Sequence, residues 1–418
     1  MVSCPENIRL SRRHLVAGSA SLAMWGLMPA QASASARDAR LLTVVLRGGL
    51  DGLALASPAA DPDLVRLRGS LAIAATGEGA GLALDGFFVL NPSMPFLHGL
   101  YLKREVAIAH AIATPYRERS HFDGQVGLES GLAGVGRADS GWLNRALSHM
   151  AKAGAAGGAA NPKGLAMGAV VPLVMRGDAP VLSWIPKTFG FPLHASTIHR
   201  LMDLYAQTDP GLARAFAEGI EIDKVEASGM AAQSAASVAP KPAAAPQFRG
   251  FVDAAETAAR FMSAADGPRV GVLSYDGWDT HANEGAIKGQ LANRLAGLDA
   301  ALQAFAQGMG PAWKDTVVVV VTEFGRTARV NGTEGTDHGT ATAALLLGGA
   351  VKGGRMLADW PGLADAALHE RRDLRPTRDL RGLLKGVLRD HLGLPAPVLA
   401  ATVFPGSSAV KPVDGLIV

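Results

Sequence analysis

The 418-residue chain carries 40 Lys and Arg against 37 Asp and Glu, a formal net charge of +3, with 48% hydrophobic and 18% charged residues. That composition excludes a disordered or collagen-like chain and supplies enough apolar side chains for a large core. The small positive excess argues against a nucleic-acid-binding protein, since it leaves too little basic surface to neutralise a phosphate backbone.

The first segment stands apart. Ser11-Arg12-Arg13-His14-Leu15 is a twin-arginine pattern, an apolar run follows over residues 15–29, and Ala30-Gln31-Ala32-Ser33-Ala34 offers small-residue cleavage sites. The apolar run is short and rich in Gly, Ser and Ala, which disfavours a permanent membrane span. Residues 1–36 are therefore expected to be a twin-arginine signal peptide, the protein periplasmic or secreted, and residues 37–418 a single domain. An uncleaved anchor is the competing reading. The segment holds Arg9, Arg12 and Arg13 against Glu6, a net +2, so the remainder sits near +1; it also holds Cys4, the sole cysteine. The exported part is thus expected to lack disulfides and thiolate chemistry and to draw its stability from its core or a bound metal.

Residues 41–46 (LLTVVL) form an unbroken apolar run ending at Arg47-Gly48-Gly49, the mark of a strand buried on both faces. Residues 106–112 and 270–275 read as the second and third strands, residues 316–322, with five consecutive valines, as the fourth, and residues 343–347 as a fifth. Helical patterns lie between them at residues 144–152, 251–265 and 289–309. This alternation predicts an α/β protein with a mostly parallel central sheet and helices on both faces. Two stretches break the pattern. Residues 153–161 (AGAAGGAAN) read as a low-complexity loop, and residues 226–247, with three prolines and almost no large apolar side chains, as a flexible insertion.

Ligands of parallel α/β sheets gather at the carboxyl ends of the strands. Asp51 follows the first strand in a Gly-Gly-Leu-Asp-Gly turn; His110 and then Ser120-His121-Phe122-Asp123 accompany the second; Asp279 and His281 follow the third; Glu323, Arg326, Asp337 and His338 follow the fourth. Carboxylates and imidazoles converging from separate strand ends suit a divalent ion such as zinc or manganese. Asp279 and His281 share a face if their segment is extended; otherwise Asp279 is a helix cap and His281 a packed or solvated side chain. Asp337-His338 forms either a ligand doublet or a glycine-rich surface turn. Arg326 suits a bidentate clamp on an anion, or a surface ion pair. Ser120 and His121 are sequence neighbours whose side chains diverge, so they are a poor nucleophile–base pair. No G-x-S-x-G elbow, P-loop or G-x-G-x-x-G after the first strand is present, which leaves classical serine hydrolysis and nucleotide binding by those routes unsupported.

The ordered series Arg47-Gly48-Gly49-Leu50-Asp51-Gly52, Ser120-His121-Phe122-Asp123, Gly141-Trp142-Leu143, Gly277-Trp278-Asp279-Thr280-His281, Thr322-Glu323-Phe324-Gly325-Arg326-Thr327 and Gly335-Thr336-Asp337-His338-Gly339 resembles the DUF1501 family of exported bacterial proteins. That family is regarded as a remote relative of the alkaline phosphatase and sulfatase superfamily. The resemblance implies a three-layer α/β/α sandwich of alkaline-phosphatase-like type, with metal ligands at the strand ends. Carried over residue by residue, it implies Asp51, Asp279, His281 and His338 as metal ligands with Asp337 as an extra one, and Ser120 as the nucleophile; the leading hypothesis adds Glu323 as a ligand and Arg326 steadying the anion. One departure matters: Glu323-Phe324 stands where the superfamily offers Asp-His. The expected function is metal-dependent hydrolysis of a small phosphate or sulfate ester. The alternative is a non-catalytic periplasmic binding or assembly protein with a degenerate metal site.

Overall fold

The computed structural model describes residues 37–134, 136, 138–157, 164–168, 170–184 and 245–418. The expected signal, and all but residues 245–247 of the expected insertion, lie outside the described residues. All elements below belong to one unit, Ala39–Val418.

The central sheet contains, in chain order, β1 (Arg40–Arg47), β2 (Val106–Ala113), β3 (Gly164–Met167), β4 (Val181–Trp184), β5 (Val270–Asp276), β6 (Thr316–Thr322), β7 (Thr342–Leu347), β8 (Arg355–Leu357) and β9 (Arg378–Asp379). Its spatial order is β8-β2-β7-β6-β1-β5-β3-β4, with β9 also on β2. The apolar run of residues 41–46 is central: β1 lies parallel between β5 and β6. β7 is antiparallel to both β2 and β6, so one strand departs from an otherwise parallel sheet.

The helices used here are α1 (Gly52–Leu55), α2 (Leu64–Arg68), α3 (Pro95–Leu102), α4 (His121–Ser130), α5 (Trp142–Gly157), α6 (Arg249–Ser263), α7 (Gln290–Met309) and α8 (Leu380–Leu392). Alternation along the strands divides the core into two layers. Leu42, Leu46, Val318 and Val320 face α3, α6 and α7, whereas Leu41, Val45, Val317, Val319 and Val321 face α5 and α8. Both faces of β6 are therefore dry, and each buried valine contributes roughly 1.5–3 kcal/mol relative to exposure. This is an α/β/α sandwich. The alanine-rich residues 153–157, expected in a loop, instead continue α5 to Gly157; alanine's helix propensity outweighs the two glycines there.

The registers place the site. Leu46 lies opposite Tyr275 of β5 and Thr322 of β6, so the three loops leaving these strands emerge side by side. Gly48 makes that crowding possible. Its φ is +120°, and a Cβ there would lie 2.6 Å from the backbone nitrogen of Asp279. Only glycine accepts both constraints without strain.

Candidate metal centre

Three imidazoles and one carboxylate meet above the carboxyl ends of β1, β5 and β6. His121 is the first residue of α4, Asp279 and His281 follow β5, and His338 lies in the loop between β6 and β7. Asp279 Oδ1 is the hub, 3.3 Å from His121 Nε2, 2.9 Å from His281 Nε2 and 3.2 Å from His338 Nε2. His338 Nε2 lies 2.9 Å from His121 Nε2 and 3.0 Å from His281 Nε2. The ligand atoms of His121, Asp279 and His338 all fall within 4.8 Å of one another, a spacing that could hold a metal ion.

The opposite nitrogen of each ring fixes its tautomer. His121 Nδ1 meets Glu323 Oε1 at 2.8 Å, His338 Nδ1 meets the Arg119 carbonyl at 2.9 Å, and His281 Nδ1 meets Asp337 Oδ1 at 3.4 Å. Each partner is an acceptor, so each Nδ1 must donate. Each Nε2 is then turned toward Asp279 Oδ1 or a neighbouring Nε2, a close approach that a shared proton or a bound cation would stabilise. Carboxylate or carbonyl support behind each imidazole is the usual outer arrangement of a histidine metal site. The electrostatics agree with that crowding. The hydrogen bond that His121 donates to Glu323 raises the pKa of His121 against the effect of burial. Burial, reinforced by His121 and Arg326, lowers that of His338. Burial works to raise the pKa of Asp279, but the Arg326 guanidinium overcomes it and holds the carboxylate below its ordinary range.

The residues anticipated from sequence divide into those that join this cluster and those that do not. Asp279, His281 and His338 join it. Glu323 does not offer an oxygen to it: Oε1 accepts from Gly48 N and His121 Nδ1, each at 2.8 Å, and Oε2 accepts from Thr322 Oγ1 at 2.9 Å. Its role is to hold His121 from behind. Asp337 stands likewise behind His281 and also accepts from Asn331 Nδ2 at 3.2 Å. Asp51 is buried and caps α1, with Oδ1 accepting from Leu53 N at 3.0 Å and Ala54 N at 3.3 Å, while Oδ2 is paired with Arg68. With one oxygen capping a helix and the other facing a guanidinium, Asp51 is withdrawn from metal duty.

Arg326 departs furthest from its anticipated part. The side chain is fully buried and donates to the carbonyls of Gly49 (2.7 Å), Gly48 (2.5 Å), Trp278 (2.9 Å) and Thr336 (3.2 Å), and to Asp279 Oδ1 at 2.6 Å. It is a bolt through four loop carbonyls and cannot also clamp a substrate anion. Ser120 is the N-cap residue of α4 but its side chain makes no capping bond; its backbone N donates to the Tyr116 hydroxyl at 2.9 Å. His110 lies inside β2, fully buried, with Nε2 donating to Gly52 O and Ala56 O; burial pushes its pKa down to about 4. Sequence reasoning missed His121 as a candidate ligand. Its position at the head of the helix that follows β2 was the available signal, obscured by weighing it only as a base for Ser120.

A mixed α/β sandwich with a three-histidine, one-carboxylate cluster at its strand ends defines the class. Residues 104–403 match the family described as "Protein of unknown function (DUF1501)", and the chain belongs to that family. No curated protein matches it. Among solved structures, it is similar to a protein in the alkaline phosphatase superfamily from Vibrio parahaemolyticus, at 12% identity and a TM-score of 0.41, over 90% of this chain and 70% of that one. It is also similar to the phosphonate monoester hydrolase of Agrobacterium radiobacter, at 11% identity and a TM-score of 0.40, over 85% of this chain and 74% of that one.

Proposed function

We propose that the protein is an exported, single-metal hydrolase acting on small phosphate or sulfate esters. The observation that supports this most directly is the clustering of His121, Asp279 and His338, with His281 Nε2 also 2.9 Å from Asp279 Oδ1 and each ring contacting an acceptor on its far side. Three imidazoles with one carboxylate suit zinc better than the harder manganese ion. A divalent ion held there supplies Lewis-acid polarisation of an ester oxygen and neutralises developing negative charge. His121, Asp279, His281 and His338 would hold it, and Glu323 and Asp337 would set the orientation of His121 and His281. On this reading the hydroxyl of Ser120, the neighbour of His121 in sequence, would be the attacking group. Export is the reading of Arg12-Arg13 and the apolar run behind them.

Protein purified from the exported fraction is expected to carry about one zinc per chain and to cleave at least one member of a panel of aryl phosphate and sulfate esters. His121→Ala and His338→Ala lose both the metal and the turnover, while Ser120→Ala keeps the metal and loses turnover. Retention of stoichiometric zinc by His338→Ala contradicts the proposal. A second reading, a metal-binding protein without turnover, is favoured by the engagement of Asp51 with Arg68, which removes one anticipated ligand. It predicts full zinc loading with no cleavage of any ester in the panel.

A further inference from the structure

Beside the histidine cluster lies a cleft of about 250 Å³ lined by Thr327, Arg329, Asn331, Asp337, Arg371 and Arg372 together with Val330 and Leu368. The cleft and the cluster share a wall: Asp337 accepts from His281 Nδ1, and Asn331 Nδ2 donates to both Asp337 Oδ1 and the His281 carbonyl. Three arginines and one carboxylate thus line a space large enough for a small oxyanion. Arg329 and Arg371 are lightly engaged, whereas Arg372 is paired with the buried Asp373. Arg329 approaches the exposed Asp365 only to 3.6 Å, and Arg372 reaches Asp373 with a single nitrogen at 3.1 Å. Arg371 is exposed and has no ion-pair or hydrogen-bond partner among the described residues.

The backbone gives a second, independent observation. Arg372 N donates to His369 O at 3.0 Å, closing a four-residue turn whose central residues, Glu370 and Arg371, have φ values of 53° and 55°. A turn with two left-handed central residues ordinarily takes Asn-Gly or Gly-Gly; two long side chains there carry strain. Each has a use for its position. Glu370 is fixed at 2.5 Å by Arg119, the residue whose carbonyl holds His338 Nδ1, and Arg371 is delivered to the cleft. The strained turn therefore fastens the cleft's cationic wall to the loop that orients a cluster histidine.

We infer that this cleft is an anion subsite, and that the substrate carries a second anionic group, a carboxylate, sulfate or phosphate, besides the ester anion presented to the histidine cluster. The subsite's assignment to a substrate rests on the hydrolase reading above; the anion site itself does not. The test is calorimetric titration of the metal-free full-length chain with inorganic sulfate at fixed ionic strength. Saturable binding is expected, weakened about tenfold in Arg371→Ala, as suits the loss of one charge-assisted pair. It is expected to be retained in His338→Ala. Arg371→Gly separates structure from recognition: it relieves the left-handed strain, so its melting temperature equals or exceeds that of the parent, yet it loses the anion as Arg371→Ala does. Absence of saturable binding, or affinity unchanged in both Arg371 variants, overturns the inference. Arginine-dependent sulfate binding in a protein that takes up no zinc would leave this subsite standing and refute the metal reading alone.

Discussion

Glu323 shows how a single carboxylate changes its work with its surroundings. It follows a strand of valines that water cannot reach, and burial alone would raise its pKa; the bond from His121 and the donors of Gly48 and Thr322 overcome that and keep it ionised. A buried carboxylate so occupied acts through the imidazole it holds. Glu323→Gln preserves the shape and removes the charge, so zinc affinity should fall by about 10- to 100-fold without being abolished. A competition assay with a chromophoric chelator reads this directly. Loss of all zinc binding would make Glu323 a ligand after all, and unchanged affinity would remove it from the site. The sequence displayed Glu323, Asp337, Arg326 and Asp51 as plausible site residues because polar side chains after buried strands point toward ligands. It did not display their partners. Arg68, which withdraws Asp51, lies 17 positions away with nothing local to announce the pairing.

At the level of elements, β1, β2, β5, β6 and β7 were legible because uninterrupted apolar runs of strand length have few other fates. The antiparallel direction of β7 was not, since direction is set by how the chain returns and leaves no periodic trace. The helical extension of α5 was hidden by its glycines. The three loops after β1, β5 and β6 assemble the site only because they can press together, and Gly48 is the point of closest approach. Gly48→Ala must move the Asp279 backbone or leave its own left-handed φ. The variant should lose about 1–3 kcal/mol in denaturant unfolding, as overpacking typically costs, and should bind zinc more weakly. Parental zinc affinity in this variant would show that the tight contact between loops does not position Asp279.

For the molecule as a whole, a pH dependence of stability is expected from a buried carboxyl behind the histidine loops. Glu284 is buried, its Oε2 accepts from Thr336 Oγ1 at 2.6 Å, and its Oε1 has no donor among the described residues. Burial, followed by the charge of Asp51, pushes its pKa up to about 8, so a proton held toward Asp51 satisfies both carboxyl groups while Arg68 balances the remaining charge. The sign follows from linkage. The folded group keeps its proton up to about pH 8, while in the unfolded chain it ionises near the ordinary carboxyl value of 4.5. Stability is therefore lost as pH rises between those values. Glu284→Gln imitates the protonated acid, so its melting temperature should fall less than the parent's from pH 5 to pH 8. Parallel pH profiles for the two proteins would place the proton elsewhere.

The proposed chemistry requires that His121, His281, His338 and Asp279 surround a metal. X-ray absorption at the zinc edge of the loaded full-length protein measures that most directly. The expected spectrum has a first shell of four light atoms at about 2.0–2.1 Å, with the outer-shell scattering of three imidazoles. Zinc that binds with an oxygen-only shell, or with fewer than two imidazoles, would contradict it.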